Sequence, residues 1–180
     1  MIKTIKKFYR EKIFINLNKN FKYKNIQEFP RFEKIVINRG LGENAQKTKK
    51  LEYYIFELKN IATQILVFTK AKKAISSFKV RKKFPIGIKV TLREKNIYYF
   101  IDRMVNLVFP RIRDFKGINP KKFDGNGNYN MGIFDQLIFP EISYDQVREI
   151  KGINISIVTS TNKNEERIKM LKKIGIRFFS

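Results

Sequence analysis

The seven residues Gly87-Ile-Lys-Val-Thr-Leu-Arg93 alternate without interruption, with Ile88, Val90 and Leu92 on one side and Lys89, Thr91 and Arg93 on the other. Successive side chains of an extended chain point to opposite faces, so this pattern predicts a strand with one dry face and one wet face. A chain holding such a strand must supply an apolar layer for the first face and a partner for the second.

The rest of the sequence supplies the layer. FEKIVINRG (32–40) is β-branched and alternating, and reads as a strand closed by Gly40. Leu51, Tyr54, Ile55, Leu58, Ile61 and Ala62 recur at helical spacing. ILVFT (65–69), ISSFKVR (75–81) and NISIVTS (154–160) read as further strands, and NIYYFIDRMVNLVF (96–109) as a buried helix stopped by Pro110. Asn162 and Glu165 have the spacing of a capping box, opening a helix that ends at Gly175. Residues 1–30 predict a helix with apolar positions near Ile5, Phe8, Tyr9 and Ile13, then a polar link to Pro30. The start, MIKTIKKFYREKIF, is basic and amphipathic but contains Glu11 and no clear cleavage pattern, so it reads as part of the fold rather than as a targeting segment. Residues 110–150, with Pro110, Pro120 and Pro140, break the rhythm and read as a long protruding loop region. No repeat is evident, and 1–180 is expected to be a single α+β domain with helices on one face of its sheet.

The wet face then needs a partner. Lys and Arg number 39 against 16 Asp and Glu, so the formal charge is 39 − 16 = +23, and the pI is near 10.2. Charge of that size on 180 residues points to a polyanion, nucleic acid first. Its distribution says more. From Leu58 to Arg93 there is no acidic residue, while Lys59, Lys70, Lys72, Lys73, Lys79, Arg81, Lys82, Lys83, Lys89 and Arg93 supply ten cations. A solvated face mixes signs, so a one-signed stretch argues for phosphate contact. Asn38, Thr69 and Thr91 can add hydroxyl and amide hydrogen bonds to RNA. Heavy use of Lys, Asn, Ile and Phe, as in KNFKYKN (19–25), is the mark of an AT-rich genome such as that of an organelle or a reduced bacterium.

Catalysis is disfavoured on the same grounds. The chain has no cysteine, which removes disulfides, zinc-thiolate sites and thiol nucleophiles. It has no histidine, which removes the usual general base and commonest metal ligand. No apolar run approaches the roughly 18 residues of a membrane span. The glycine-rich stretch KFDGNGNYNMG (122–132) is the best rival. Its Gly125 and Gly127 lack the third glycine and the G-K-[ST] of a phosphate cradle, and the Asp124 loop lacks calcium-loop spacing. Asp114, Asp124 and Asp135 have no ligand signature for a metal-dependent nuclease, and a DNA-compacting protein would explain the charge but not the long protrusion. What remains for the stretch is a compact turn system anchored by Phe123 and Tyr129.

Long strings of the chain resemble the large-subunit ribosomal protein L-five family. They are KIVINRGLGE (34–43), TKAKKAI (69–75), FKVRKKFPIGIKVTLR (78–93), FPRIRDFKGINPKKFDGNGNYNMGI (109–133) and QLIFPEISYD (136–145), in family order. INRGLGE resembles the cyanobacterial and plastid version, since bacterial relatives more often have Met at the position of Arg39. The resemblance implies an antiparallel sheet with helices packed on one face, an RRM-like or ferredoxin-like arrangement. It implies 5S ribosomal RNA on the open face, at Asn38, Gln64, Thr69, Lys70, Lys89, Thr91 and Arg93. It also implies a loop carrying Lys72, Lys73, Lys79, Arg81 and Lys82 that reaches the peptidyl-site tRNA. The protrusion, with Arg111, Arg113, Asp114, Lys116 and Asn126, would face a small-subunit head protein in an intersubunit bridge. Large-subunit rRNA and other central-protuberance proteins are the remaining implied partners, with no membrane, no metal and no cofactor. A plastid ribosome is the expected place, with a mitochondrion or bacterial cytoplasm as alternatives. The chain departs from the family at Thr63 and Glu94, each standing where glycine is common, at Leu66, where proline is, and at Asn126 and Phe134, each standing where Arg is.

Overall fold

The computed structural model describes residues 14–46, 48–124, 126, 128–147, 149–161 and 163–179. The helix expected around Ile5 to Ile13, the capping residue Asn162 and the pair Gly125 and Gly127 lie outside the described residues. The chain forms two compact units, one from Met1–Ile35, Arg93–Met131 and Ser156–Ser180, the other from Val36–Leu92 and Gly132–Ile155.

Five strands form an antiparallel sheet: β1 (Phe32–Gly40), β2 (Val67–Lys70), β3 (Pro85–Leu92), β4 (Asn128–Ile133) and β5 (Ile153–Thr159). Their order is β2-β3-β1-β5-β4, so β1 is central and β2 and β4 are the edges. The helices are α1 (Phe14–Phe21), α2 (Thr48–Ala62), α3 (Lys95–Arg103) and α4 (Asn164–Ile174). The α+β class expected from the sequence is the class observed.

Period-two burial explains the strands. Ile88, Val90 and Leu92 of β3 and Ile35 and Ile37 of β1 are at most 1% exposed, while Lys89, between Ile88 and Val90, and Asn38, between Ile37 and buried Arg39, are exposed. Complete burial of such side chains is worth about 1.5–3 kcal/mol each, enough to fix the register, since a one-residue slip would turn them all to water. β5 repeats the pattern with Ile153, Ile155 and Ile157 buried. In α2 the buried Tyr54, Leu58, Ile61 and Ala62 recur at helical spacing, as their sequence predicts.

Three expectations need correction. ISSFKVR is not a strand but an exposed hairpin excursion, closed by the single bridge Ile75–Val80 with N···O distances of 2.9 and 3.2 Å. Its apolar residues have no layer above them, so their β propensity finds no sheet to join. Pro110 does not stop the helix: α3 runs into a π turn, Met104–Val108, and a last turn, Phe109–Arg111. The amide of Phe109 reaches back five residues to the Met104 carbonyl, a wider register that accommodates the proline ring. Residues 110–150 are not unbroken loop either, because β4 begins inside KFDGNGNYNMG. The asparagines and glycines there hid a strand whose dry side needs only Tyr129 and Ile133, both buried.

Around β4 the turn is closed by the Asp124 carboxylate, which accepts from the Asn128 amide at 2.6 Å and from its side-chain Nδ2 at 2.7 Å. These bonds from Asn128 hold the Asp124 carboxyl below its ordinary value. Phe123 packs edge-on to Tyr129 at 4.9 Å between centroids, and both rings meet Phe178. The anchoring expected of Phe123 and Tyr129 is therefore made.

Two of the positions where the resemblance implies glycine have positive φ. Thr63 ends α2 with φ 51°, and Glu94 precedes α3 with φ 49° and ψ −117°. A β-branched residue at positive φ is strained, and the Glu94 conformation is one that glycine adopts far more readily. The turn is kept because the Thr63 amide still donates to the Lys59 carbonyl at 2.7 Å. Thr63→Gly and Glu94→Gly are each expected to stabilise the protein, by about 1 kcal/mol for the first and about 1–3 kcal/mol for the second. Chemical denaturation checks both, and a lower midpoint for either contradicts the strain.

Candidate nucleic-acid interface

In the unit formed by Val36–Leu92 and Gly132–Ile155, three strands carry the open face. The β2–β3 register pairs Val67 with Lys89 and Thr69 with Gly87, placing each pair on one side of the sheet. Lys89 is exposed and Thr91 half-buried on that side, and Asn38 is exposed on the corresponding side of β1. Gly87 is required there. A Cβ at this position would lie 2.8 Å from both the Arg39 carbonyl and Thr69 Oγ1, so glycine lets the hydroxyl and the β1 backbone close over it.

The other expected face residues take different positions. Gln64 donates through Nε2 to the Thr91 carbonyl at 2.9 Å, holding the end of β3. Lys70 is exposed at the end of β2, after a register shift between Thr69 and Lys70. Arg93 is exposed one residue beyond β3. The structure thus brings Asn38, Thr69, Lys89 and Thr91 onto one face, with Gln64 as a support and Lys70 and Arg93 at strand ends.

The excursion between β2 and β3 is held at its base by Ala71 and Phe84 (2.8 Å) and by Lys83 and Ala71 (2.9 Å). Lys72, Lys73, Lys79, Arg81 and Lys82 are all exposed on it, and so is Phe78 near its tip. All ten cations between Leu58 and Arg93 point into solvent. Of the protrusion residues, Arg111, Arg113, Asp114 and Lys116 share one short exposed segment, while Asn126 is exposed in the separate turn closed by Asp124. Phe134 is 91% exposed, so an aromatic ring stands in water there.

Sequence reasoning missed a polar network beneath this face. Arg39 is fully buried, its Nη1 2.5 Å from Glu57 of α2, its Nη2 donating to the Lys151 carbonyl at 3.0 Å, and its guanidinium 5.4 Å from the Tyr54 ring centre. The signal was the place of Arg39 in the alternation, on the side of Ile35 and Ile37. Beside it Glu149 accepts from the Tyr54 hydroxyl (2.9 Å) and from Asn44 (3.1 Å), and pairs with Lys151 (3.0 Å) and Lys50 (3.6 Å). The Lys151 and Tyr54 hydrogen bonds pull the Glu149 carboxyl down to about 2, and burial with the Glu149 contact pushes the Tyr54 hydroxyl up to about 12. Also missed were Asn154 and Ser156, which alternate with the buried isoleucines of β5; Ser156 donates to Asn130 of β4 at 2.6 Å.

Among the described residues no cluster of three acidic side chains is arranged for a metal ion. Asp124 is occupied by Asn128, and Asp135 caps a turn by accepting from the Leu137 amide at 2.8 Å. No helix among the described residues is long and apolar enough to cross a membrane.

The sheet, the helices and the exposed cations define a basic α+β protein. Two family descriptions match the chain, "Ribosomal protein L5" over residues 25–81 and the C-terminus of the same ribosomal family over residues 85–178. "Large ribosomal subunit protein uL5c" of Tetradesmus obliquus is 51% identical over 180 residues, covering 100% of both chains. "Large ribosomal subunit protein uL5" of Trichodesmium erythraeum is 51% identical over 100% of this chain and 99% of its own, and the uL5c of Pyropia yezoensis 51% over 97% and 96%. The chain belongs to the ribosomal protein L5 family, a family of structural, non-enzymatic proteins of the large ribosomal subunit. Its relatives place it with the plastid and cyanobacterial versions, which is the setting of a plastid ribosome.

The buried pair and the acidic cluster make separate predictions. Arg39→Met alone leaves Glu57 buried without its cation and is expected to cost about 3–5 kcal/mol in denaturant melts, while Arg39→Met with Glu57→Leu recovers most of the loss. The carboxyl of Glu149, followed by NMR, is expected to titrate near 2 and to move up in Tyr54→Phe. Because its folded value is depressed, the stability it lends is present above the ordinary carboxylate range and is lost as pH falls toward 2. An ordinary midpoint in the native protein contradicts the hydrogen bonds described.

Proposed function

We propose that this protein binds 5S ribosomal RNA in the central protuberance of the large subunit through the open face of β1, β2 and β3. The observation that carries the reading is the acid-free stretch from Leu58 to Arg93, with every cation in it exposed and its Thr69, Lys89 and Thr91 on one face with Asn38. Lys70, Lys89 and Arg93 neutralise phosphates, and the amide and hydroxyl groups of Asn38, Thr69 and Thr91 fix the RNA by hydrogen bonds that leave no charge unpaired. Gln64 acts indirectly, by holding the Thr91 backbone.

In the same reading the excursion with Lys72, Lys73, Lys79, Arg81 and Lys82 reaches the peptidyl-site tRNA. Its closed base presents the cations on a defined arm. The region 110–150 is the protrusion of the single ribosomal-protein chain, and its Arg111, Arg113, Asp114, Lys116 and Asn126 meet a small-subunit head protein across the bridge. Large-subunit rRNA and other central-protuberance proteins are the remaining neighbours.

Filter binding to a 5S transcript tests the face. Thr91→Ala with Arg93→Ala is expected to weaken binding at moderate salt and to flatten the salt dependence by about 0.7–0.9 log units per log salt for the lost cation. Unchanged affinity refutes the assignment.

A further inference from the structure

A second basic surface lies far along the chain from the first. Residues 168–180 carry Lys169, Lys172, Lys173 and Arg177 with no acid, and residues 115–123 carry Lys116, Lys121 and Lys122 with no acid. The fold joins these two stretches. The Ile118 amide donates to the Arg177 carbonyl at 2.8 Å, the Phe179 amide donates to the Ile118 carbonyl at 2.9 Å, and Ile118 bridges Phe178 in parallel. Gly117 makes the approach possible: at φ 113°, a Cβ there would lie 2.7 Å from the backbone of Phe178 and Phe179.

The result is an open groove of about 580 Å³ lined by Lys116, Lys172, Gly175, Ile176, Arg177 and Phe178, with no acidic side chain in its wall. Lys172 and Arg177 are exposed, and Phe179 beside them is 52% exposed. A helix C-terminus would by itself repel an anion. Here the carbonyls of Leu171 and Lys172 are occupied by the amides of Ile176 and Gly175 at 3.1 Å each, and Lys172 and Lys173 stand in the last turn of α4. The end of the helix is thereby made cationic.

We infer that this groove is a second RNA-binding surface, taking the phosphate backbone of a structured RNA segment other than the one on the open sheet face. RNA fits better than an acidic protein because an exposed aromatic ring, Phe179, follows the exposed cation Arg177 in the chain. Phosphates would meet Lys172 and Arg177, while Phe179 offers a face for an unstacked base, which a carboxylate partner would leave unused. The groove is distinct from the cations between Leu58 and Arg93, and only Lys116 is shared with the proposed bridge segment.

The full-length protein, saturated with a 5S transcript, is titrated with a fluorescent 20-base-pair RNA duplex bearing a single-stranded overhang, and anisotropy is read across a salt series. Lys172→Gln with Arg177→Gln is expected to weaken duplex binding about tenfold and to lower its salt slope by about two, leaving 5S affinity within about twofold. Lys172→Arg with Arg177→Lys keeps the charge and is expected to restore duplex binding, which separates lost contact from lost folding. The same duplex titration on Thr91→Ala with Arg93→Ala, without 5S RNA, reports the groove even if the sheet-face reading fails. Duplex binding and salt slope unchanged in the Gln variant overturn the inference, as does capture of polyglutamate as tightly as of the duplex. An equal loss of 5S and duplex binding overturns it too, because the groove would then belong to the 5S site.

Discussion

Arg39 carries a full charge onto the dry side of the central strand, and the protein is arranged so that this charge is never alone. An unpaired guanidinium at that depth would neither deprotonate nor reach water, so its partner has to come from the helix laid over the strand. Glu57 is that partner, the Lys151 carbonyl takes a second donor, and the Tyr54 ring covers the guanidinium. One buried ion thus ties β1, α2 and the segment before β5. Its net worth in stability is small, because desolvation offsets much of the attraction. Its effect is on geometry: α2 cannot rotate or slide without separating the pair.

That geometry is what lets the opposite side of the strand be useful. Asn38 immediately precedes Arg39 and points the other way, so whatever locks Arg39 also fixes the direction of Asn38. The same logic holds in β3, where buried Val90 and Leu92 flank half-buried Thr91, and Gln64 secures its carbonyl. The open face thus carries the short side chains of Asn38, Thr69 and Thr91 beside Lys89, while Lys72, Lys73, Lys79, Lys82 and Lys83 stand on the excursion. In the function proposed, short groups lose little conformational entropy on binding and long cations keep their attraction over distance, so the two sets would serve position and steering respectively.

Two residues show that strain is tolerated at positions whose backbone favours glycine. Thr63 and Glu94 bracket β2 and β3 in sequence, and both keep the left-handed backbone their positions demand. The backbone path is imposed by tertiary contacts around it, and the local residue accepts the cost.

Alternation and helical spacing placed β1 to the residue and β3, β5 and α2 to within a few residues, because each has a side that must be dry, and that requirement is written locally. The one-signed stretch from Leu58 to Arg93 was likewise legible, since charge needs no fold to be counted. Three things were not. ISSFKVR has strand-like residues but no neighbour to pair with, and pairing is a property of the sheet. Pro110 reads as a stop, yet a π turn absorbed it because the packing around Met104 and Val108 was worth keeping. And β4 lies in a stretch whose glycines and asparagines carry no strand signal, since an edge strand needs only Tyr129 and Ile133 to hold it. The sequence by itself determined the two-sided strands, the basic partner surface and the family. Only the tertiary structure decided which arginine is a buried strut and which lysines, far apart in the chain, share one groove, because burial and proximity depend on what folds over each residue.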